Sequence, residues 1–193
     1  NRTVLFLQDH TTSYTDGTSY AETIRSDVVI DCRGYTFNFS GTDSNSYAIY
    51  VNTEVGIQIK NCTLSNFENA IRINAGQAFI YNNTIDAGPQ TTDEPTGIYC
   101  TSNGCDYTNI TENIFIGAYT SYALHLDNTN SQLNSIWKNQ FLGTKAILDS
   151  ASSTSLCVNN IGNFYNSSVL SSQIDTDDCG PTPLVNVSVN QSM

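Results

Sequence analysis

IQIKNCTLSNFENAIRINAGQAFIYNNTI, residues 57–85, decides the fold. It contains two versions of one short string, IQIKNCTL (57–64) and AFIYNNTI (78–85), with a second kind of string, AIRI (70–73), between them. Outward along the chain, the first kind recurs as TNITENIF (108–115), NSIWKNQF (134–141) and SLCVNNIG (155–162). The second recurs as AIYV (48–51), GIYC (97–100), ALHL (123–126) and AILD (146–149). Aligning the first set puts Cys62, Asn83, Asn113, Asn139 and Asn160 at one position, with spacings of 21, 30, 26 and 21 residues. An earlier string, VVIDCRGY (28–35), places Arg33 there. Short strands separated by turns, at a period in the low twenties with insertions, describe a solenoid. A single coil cannot bury its apolar face, so stacked neighbours supply the core.

The expected fold is therefore all-β, a single-stranded parallel β-helix of about six coils carrying a ladder of asparagines. At a sharp turn an Asn amide donates to one coil and accepts from the next, and the residue tolerates a left-handed backbone. Recurrence of Asn in four successive coils sets this apart from mere abundance. The longer spacings locate loops: AGPQTTDEPTG (87–97) carries two of the four prolines, and TSNGCDY (101–107) holds a cysteine. Three parts follow. Residues 1–25 form an N-terminal capping or assembly segment, residues 26–172 the β-helix, and residues 173–193 a C-terminal tail. TVLFLQ (3–8) and PLVNVSVN (183–190) are apolar strands without the coil motif. The latter alternates through Val185, Val187 and Val189, and is suited to capping its own rod or to extending the sheet of a neighbour.

The pattern of the aligned strings, "IxNNTI" followed by "GIYI"-like strands, resembles the pectate-lyase-like superfamily of right-handed parallel β-helices, and within it secreted parallel β-helix repeat proteins. The resemblance covers residues 26 to 172 and implies a right-handed helix. It implies little about activity, because that superfamily includes lyases, hydrolases, epimerases, adhesins, tailspikes and surface proteins. Its lyases use a basic proton abstractor beside calcium-binding carboxylates, and its hydrolases use clustered aspartates with His and Arg. The chain has only seven Lys and Arg: Arg2, Arg25, Arg33, Lys60, Arg72, Lys138 and Lys145. No carboxylate triplet recurs on one face, so no catalytic residue carries over, and a non-catalytic role is expected. Lys60 falls beside Asp31 if adjacent coils are in register, a surface ion pair of small worth.

Charge narrows the partners. A formal charge of −11 and a pI near 4.2 oppose binding to nucleic acid, which requires Lys and Arg to displace counterions. They oppose docking on anionic membranes for the same reason. No run of apolar residues is long enough to span a bilayer, and no basic start leads into an apolar stretch, so no signal peptide is expected. The first residue is Asn1, which fits a processed product. Charged residues make up 13% of the chain, so its polar surface is mostly Asn, Ser and Thr.

Six cysteines without CxxC spacing point to disulfides and an oxidising compartment, extracellular or at the cell surface. Cys100 and Cys105 flank the loop TSNG, Cys32 and Cys62 fall on the same edge of neighbouring coils, and Cys157 is left to Cys179. A metal site is the weaker alternative, since the histidines are only His10 and His125. Asp175, Asp177 and Asp178 could bind calcium, but without the rest of a calcium loop they read more simply as a solvated turn. No cofactor is expected. N-glycosylation sequons begin at Asn1, Asn38, Asn61, Asn82, Asn109, Asn166, Asn186 and Asn190. Asn61 and Asn82 occupy equivalent places on successive coils.

Strand parity sends two rows outward: Tyr50, Arg72, Tyr99, His125 and Leu148, and Lys60, Tyr81, Thr111, Trp137 and Val158. Tyr50, Arg72, Tyr99, His125, Tyr81 and Trp137 are candidate sugar contacts, because aromatic faces stack on sugar rings. The plainer alternative is the ordinary preference of strands for aromatic and β-branched residues. The function expected is a glycosylated surface or filament subunit whose partners are its own copies and covalent N-glycans. A carbohydrate-binding adhesin, or a polysaccharide lyase or hydrolase, is the alternative.

Overall fold

The computed structural model describes residues 2–13, 19–23, 25–41, 46–52, 54–74, 77–88, 95–101, 105, 107–119, 121–127, 135–143, 145–149 and 162–166. Its elements follow one another in threes. The first coil is β1 (Arg2–Leu5), β2 (His10–Thr12) and β3 (Ser19–Thr23), and the next β4 (Val28–Asp31), β5 (Thr36–Phe39) and β6 (Tyr47–Val51). Then come β7 (Ile57–Lys60), β8 (Thr63–Ser65) and β9 (Asn69–Ile73), followed by β10 (Ala78–Tyr81), β11 (Thr84–Asp86) and β12 (Thr96–Cys100). The series continues with β13 (Asn109–Thr111), β14 (Ile114–Ile116) and β15 (Leu124–Leu126), then β16 (Ser135–Trp137), β17 (Gln140–Phe141) and β18 (Ile147–Asp149), and ends on β19 (Phe164–Tyr165).

Every third strand pairs in parallel, except that β19 pairs with β17, giving three sheets: I (β1-β4-β7-β10-β13-β16), II (β2-β5-β8-β11-β14-β17-β19) and III (β3-β6-β9-β12-β15-β18). The chain is a parallel β-helix. No helix of the described residues is long and apolar enough to cross a membrane.

Register places like on like. On sheet I the inward row is Val4, Ile30, Ile59, Ile80, Ile110 and Ile136, and on sheet III it is Ala21, Ile49, Ile71, Ile98, Leu124 and Ile147. Sheet II stacks aromatics inside, with the Phe115 and Phe141 rings 4.9 Å apart and nearly parallel, and Phe141 and Tyr165 at 5.2 Å. Stacked β-branched and aromatic side chains remove apolar area from water without leaving voids. At the entry to sheet III, successive residues both face in, as in the buried pairs Ala48–Ile49, Ala70–Ile71 and Ala123–Leu124. The first of each pair must be small. A Cβ added at Gly97 would lie 2.5 Å from the Ala123 carbonyl oxygen and 3.0 Å from the Phe115 ring.

Two readings of the ladder change. Its last rung is Asn163, not Asn160: Asn163 Oδ1 accepts from the Asn139 backbone N–H (2.8 Å), and Phe164 pairs with Gln140. The last coil is longer than the alignment allowed, and Asn160 itself lies outside the described residues. Arg33 is no rung either. It is exposed at φ 55°, whereas Cys32 is buried and bonded to Cys62. Two more residues separate β4 from β5 than β7 from β8, which shifts the simple alignment. The left-handed backbone belongs to the residue before each rung: Asn61, Asn82, Glu112, Lys138 and Gly162, with φ between 53° and 71°.

Each rung does the same work. Asn83, Asn113, Asn139 and Asn163 donate from Nδ2 to the carbonyls of Ile59, Ile80, Ile110 and Ile136, at 3.1, 2.9, 2.8 and 2.9 Å. Their Oδ1 atoms accept backbone N–H bonds from Cys62, Asn83, Asn113 and Asn139. The bend thus leaves these buried peptide groups satisfied.

The N-terminal segment, which lacks the coil motif, is nevertheless a coil in register: β1, β2 and β3 pair with β4, β5 and β6. The apolar pattern sufficed for pairing without an Asn rung. Disulfides join Cys32 to Cys62, across adjacent coils, and Cys100 to Cys105, around TSNG. Cys157 and Cys179 lie outside the described residues, as does the whole of the tail 173–193 with its string PLVNVSVN.

Candidate functional site

Three surfaces carry the exposed chemistry: the outer faces of sheets III and I, and the N-terminal end of the rod.

On sheet III, Tyr50, Arg72, Tyr99, His125 and Leu148 stand in one row across adjacent strands. Their functional groups are largely turned on one another. The Arg72 guanidinium lies 4.9 Å from the Tyr47 ring centre and 5.7 Å from that of Tyr99, and its Nη1 donates to the Tyr47 hydroxyl. Tyr99 donates to Asp127 Oδ2 at 2.9 Å, Tyr50 donates to Asn52 Oδ1 at 3.3 Å, and the Tyr99 and His125 rings lie 5.0 Å apart. Partial burial, together with the hydrogen bond to Asp127 and the charge of that carboxylate, pushes Tyr99 up to about 12. Strict alternation from Tyr50 would have turned Tyr47 inward. The doubled inward residues Ala48–Ile49 bring it to the same face, and strand parity gave no sign of this.

Sheet I is organised differently. Asp31, Lys60, Tyr81, Thr111 and Trp137 share one outward row. Lys60 Nζ is 3.6 Å from Asp31 Oδ2 and lies over the Tyr81 ring at 5.7 Å. Partial burial works to raise the pKa of Asp31. The hydrogen bond from Asn61, the Arg33 N–H and the charge of Lys60 outweigh it and hold the carboxyl below its ordinary value. A second outward row runs through Gln58, Phe79, Asn109 and Ser135. Phe79 and Tyr81 pack with ring centres 4.7 Å apart, and a recess of about 180 Å³ opens beside Phe79, Asn109, Gln77 and the exposed Tyr107. Two polar atoms in this face, Asn109 Oδ1 and Thr111 Oγ1, are buried without a hydrogen-bond partner. Phe79 and Tyr107 belong to neither outward row expected from strand parity, and Asn109 is marked in the sequence only as a sequon. Val158 lies outside the described residues.

The sequons are spread around the rod. Asn82 is exposed and donates from Nδ2 to Asn61 Oδ1 at 2.7 Å, and half-buried Asn61 donates in turn to Asp31 Oδ1 at 2.9 Å. Asn38, Asn109 and Asn166 are half-buried, the last donating to the Leu142 carbonyl at 3.1 Å. Asn1, Asn186 and Asn190 lie outside the described residues.

At the N-terminal end, β1, β2 and β3 each terminate their sheet, so each presents one strand edge unpaired among the described residues. Val4 (45% exposed), Leu5 (42%) and Leu7 (71%) are in water. The inward row of sheet I continues into a recess of about 340 Å³ lined by Val4, Phe6, Ala21 and Val28, with Arg2 and Arg25 at its rim. Among the described residues no three His, Cys, Asp or Glu side chains are grouped so as to hold a metal ion, and Asp175, Asp177 and Asp178 lie outside them. No protein-family model, curated protein or solved structure matches the chain.

Proposed function

We propose that this chain is a structural subunit of an extracellular array or fibre, built by stacking copies along the rod axis and clothed in N-linked sugars. The observation that carries this reading is the N-terminal end, where three strand edges and an apolar mouth meet water together. An open edge beside exposed Val and Leu favours pairing with another strand. A contact between one end of a rod and the opposite end of another is heterologous and does not close, so its repetition gives a filament. The disulfides are compatible with an extracellular setting. Electron microscopy of the purified chain over a concentration series tests the proposal. Rods end to end are expected; monomers at every concentration would sink it.

A second reading rests on sheet I. Phe79, Tyr81, Tyr107 and Trp137 with Gln58, Gln77 and Asn109 combine apolar platforms with amides, the chemistry that holds a sugar ring. Loss of glycan-array binding in Tyr81→Ala and Trp137→Ala, with unchanged circular dichroism, is the expected result. An array without binding by the parent chain rejects it.

A further inference from the structure

We infer that the occupant of the N-terminal mouth is the tail of a second copy, residues 183–190 adding as a parallel strand on the free edge of β1. This rests on the axial-assembly reading above and names the segment that performs it.

Pattern, charge and reach converge on this occupant. The inward row that ends at Val4 is aliphatic from Ile30 through Ile136. A strand whose inward residues are Val185, Val187 and Val189 continues that row by one more rung. The same alternation turns Asn186 and Asn190, each the start of a sequon, to the solvent side, where a sugar can be carried.

Arg2 and Arg25 stand at the rim of the mouth, and neither is ion-paired with a described residue. Cations are scarce in this molecule, seven against eighteen carboxylates, so two at one opening mark it as a place for an acidic partner. The chain after residue 166 contains no Lys or Arg, and its charged side chains are Asp175, Asp177 and Asp178, just ahead of the valine strand.

Reach separates a neighbour's mouth from the chain's own. Four of the six cysteines are bonded in pairs, and the pairing expected from the sequence joins the other two, Cys157 and Cys179, which lie outside the described residues. Cys157 falls in sequence between β18 and β19, at the far end of the rod. From Cys179 to Pro183 the chain spans at most ~14 Å. The seven strands of sheet II stack over ~29 Å. With that bond formed, a tail tethered at Cys179 would fall short of its own mouth and come within reach of the mouth of a copy stacked on that end.

Two variants test the exchange. Val4→Glu spoils the mouth and keeps the tail; a chain ending at Pro183 keeps the mouth and lacks the strand. Light scattering after size exclusion is expected to show each variant alone as a monomer and their mixture as a 1:1 dimer with nothing longer. Should Val4→Glu not fold, a synthetic peptide of residues 173–193 carrying Cys179→Ser is titrated into the shortened chain. It is expected to bind, to lose about tenfold in affinity against Arg2→Glu/Arg25→Glu, and to recover when the peptide carries Asp177→Lys/Asp178→Lys. Fibres formed by the shortened chain, or a peptide that does not bind it while the parent chain assembles, overturn the tail as occupant and leave axial assembly standing. A parent chain that remains monomeric overturns both.

Discussion

Asn113 shows what one residue contributes when its place repeats. It is fully buried, its Nδ2 donates to Ile80 and Thr111 carbonyls, and its Oδ1 accepts from both nitrogens of Asn83. Replacing it with Ala strands groups on two coils at once. Since a buried orphan costs about 1–3 kcal/mol, Asn113→Ala is expected to lower unfolding free energy in urea by about 2–4 kcal/mol, and half-buried Asn163→Ala by less. Tyrosines give a second residue-level test. Tyr119 is buried, donates to the Ile85 carbonyl at 2.8 Å and, by burial, ionises well above its ordinary range; Tyr99 is pushed up to about 12. Between pH ~10 and 12 these side chains stay protonated when folded but ionise when unfolded, so stability falls as pH rises through that window. Absorbance at about 295 nm, followed against pH, should show a tyrosine step that coincides with unfolding and is lost in Tyr119→Phe. The ladder was legible through Asn139 because the strings before it are equally long on both sides of the rung. It failed at Asn163 because SLCVNNIG offers Asn160 at the aligned place, and residues 159–162, NNIG, do not alternate as IQIK and SIWK do.

Among the elements, the turn between sheets I and II is the recurrent device, and the left-handed residue before each rung is its weak point. Asn61, Asn82 and Gly162 suit that backbone, but Glu112 (φ 56°) and Lys138 (φ 53°) do not. Their exposed ion pair at 3.8 Å offsets little of the strain. Glu112→Gly/Lys138→Gly is expected to raise stability by about 0.5–1 kcal/mol, read as a higher urea midpoint with the same slope. Preceding each Asn, these positions are easy to find in sequence; their φ is not, because Glu and Lys give no hint of it. Strand faces were legible wherever alternation is strict, as in Lys60–Tyr81–Thr111–Trp137. Alternation is broken at the Ala-Ile pairs entering sheet III, and this is why Tyr47 went unseen while Arg72, its partner, did not. The Cys32–Cys62 bond staples two such turns across a separation of 30 residues, so Cys32→Ser/Cys62→Ser should cost about 3–4 kcal/mol.

At the scale of the whole molecule, stability in a solenoid is a sum of coils and the contacts between neighbours. The inner coils have neighbours on both sides, whereas β1–β3 have one, and Val4, Leu5 and Leu7 are exposed there. Hydrogen exchange is therefore expected to protect β7, β10 and β13 most and β1 least, with β1 gaining protection once the rods join end to end. Equal protection along the rod in dilute solution would contradict that gradient. Repetition itself was plain in the sequence, but the ends were not: nothing in TVLFLQ announces a coil, since pairing there depends on the edge that β4 offers.

The ladder has one more consequence, for how long such a molecule lasts. Asparagine ages by deamidation, when the next residue's backbone nitrogen attacks the side-chain amide. After each rung that nitrogen is occupied: Thr84, Ile114, Gln140 and Phe164 donate their N–H to carbonyls of the preceding coil at 2.8 Å. The rungs are thus shielded from the chemistry to which Asn is prone, while Asn103–Gly104, outside the described residues, has the sequence at which such ageing begins soonest.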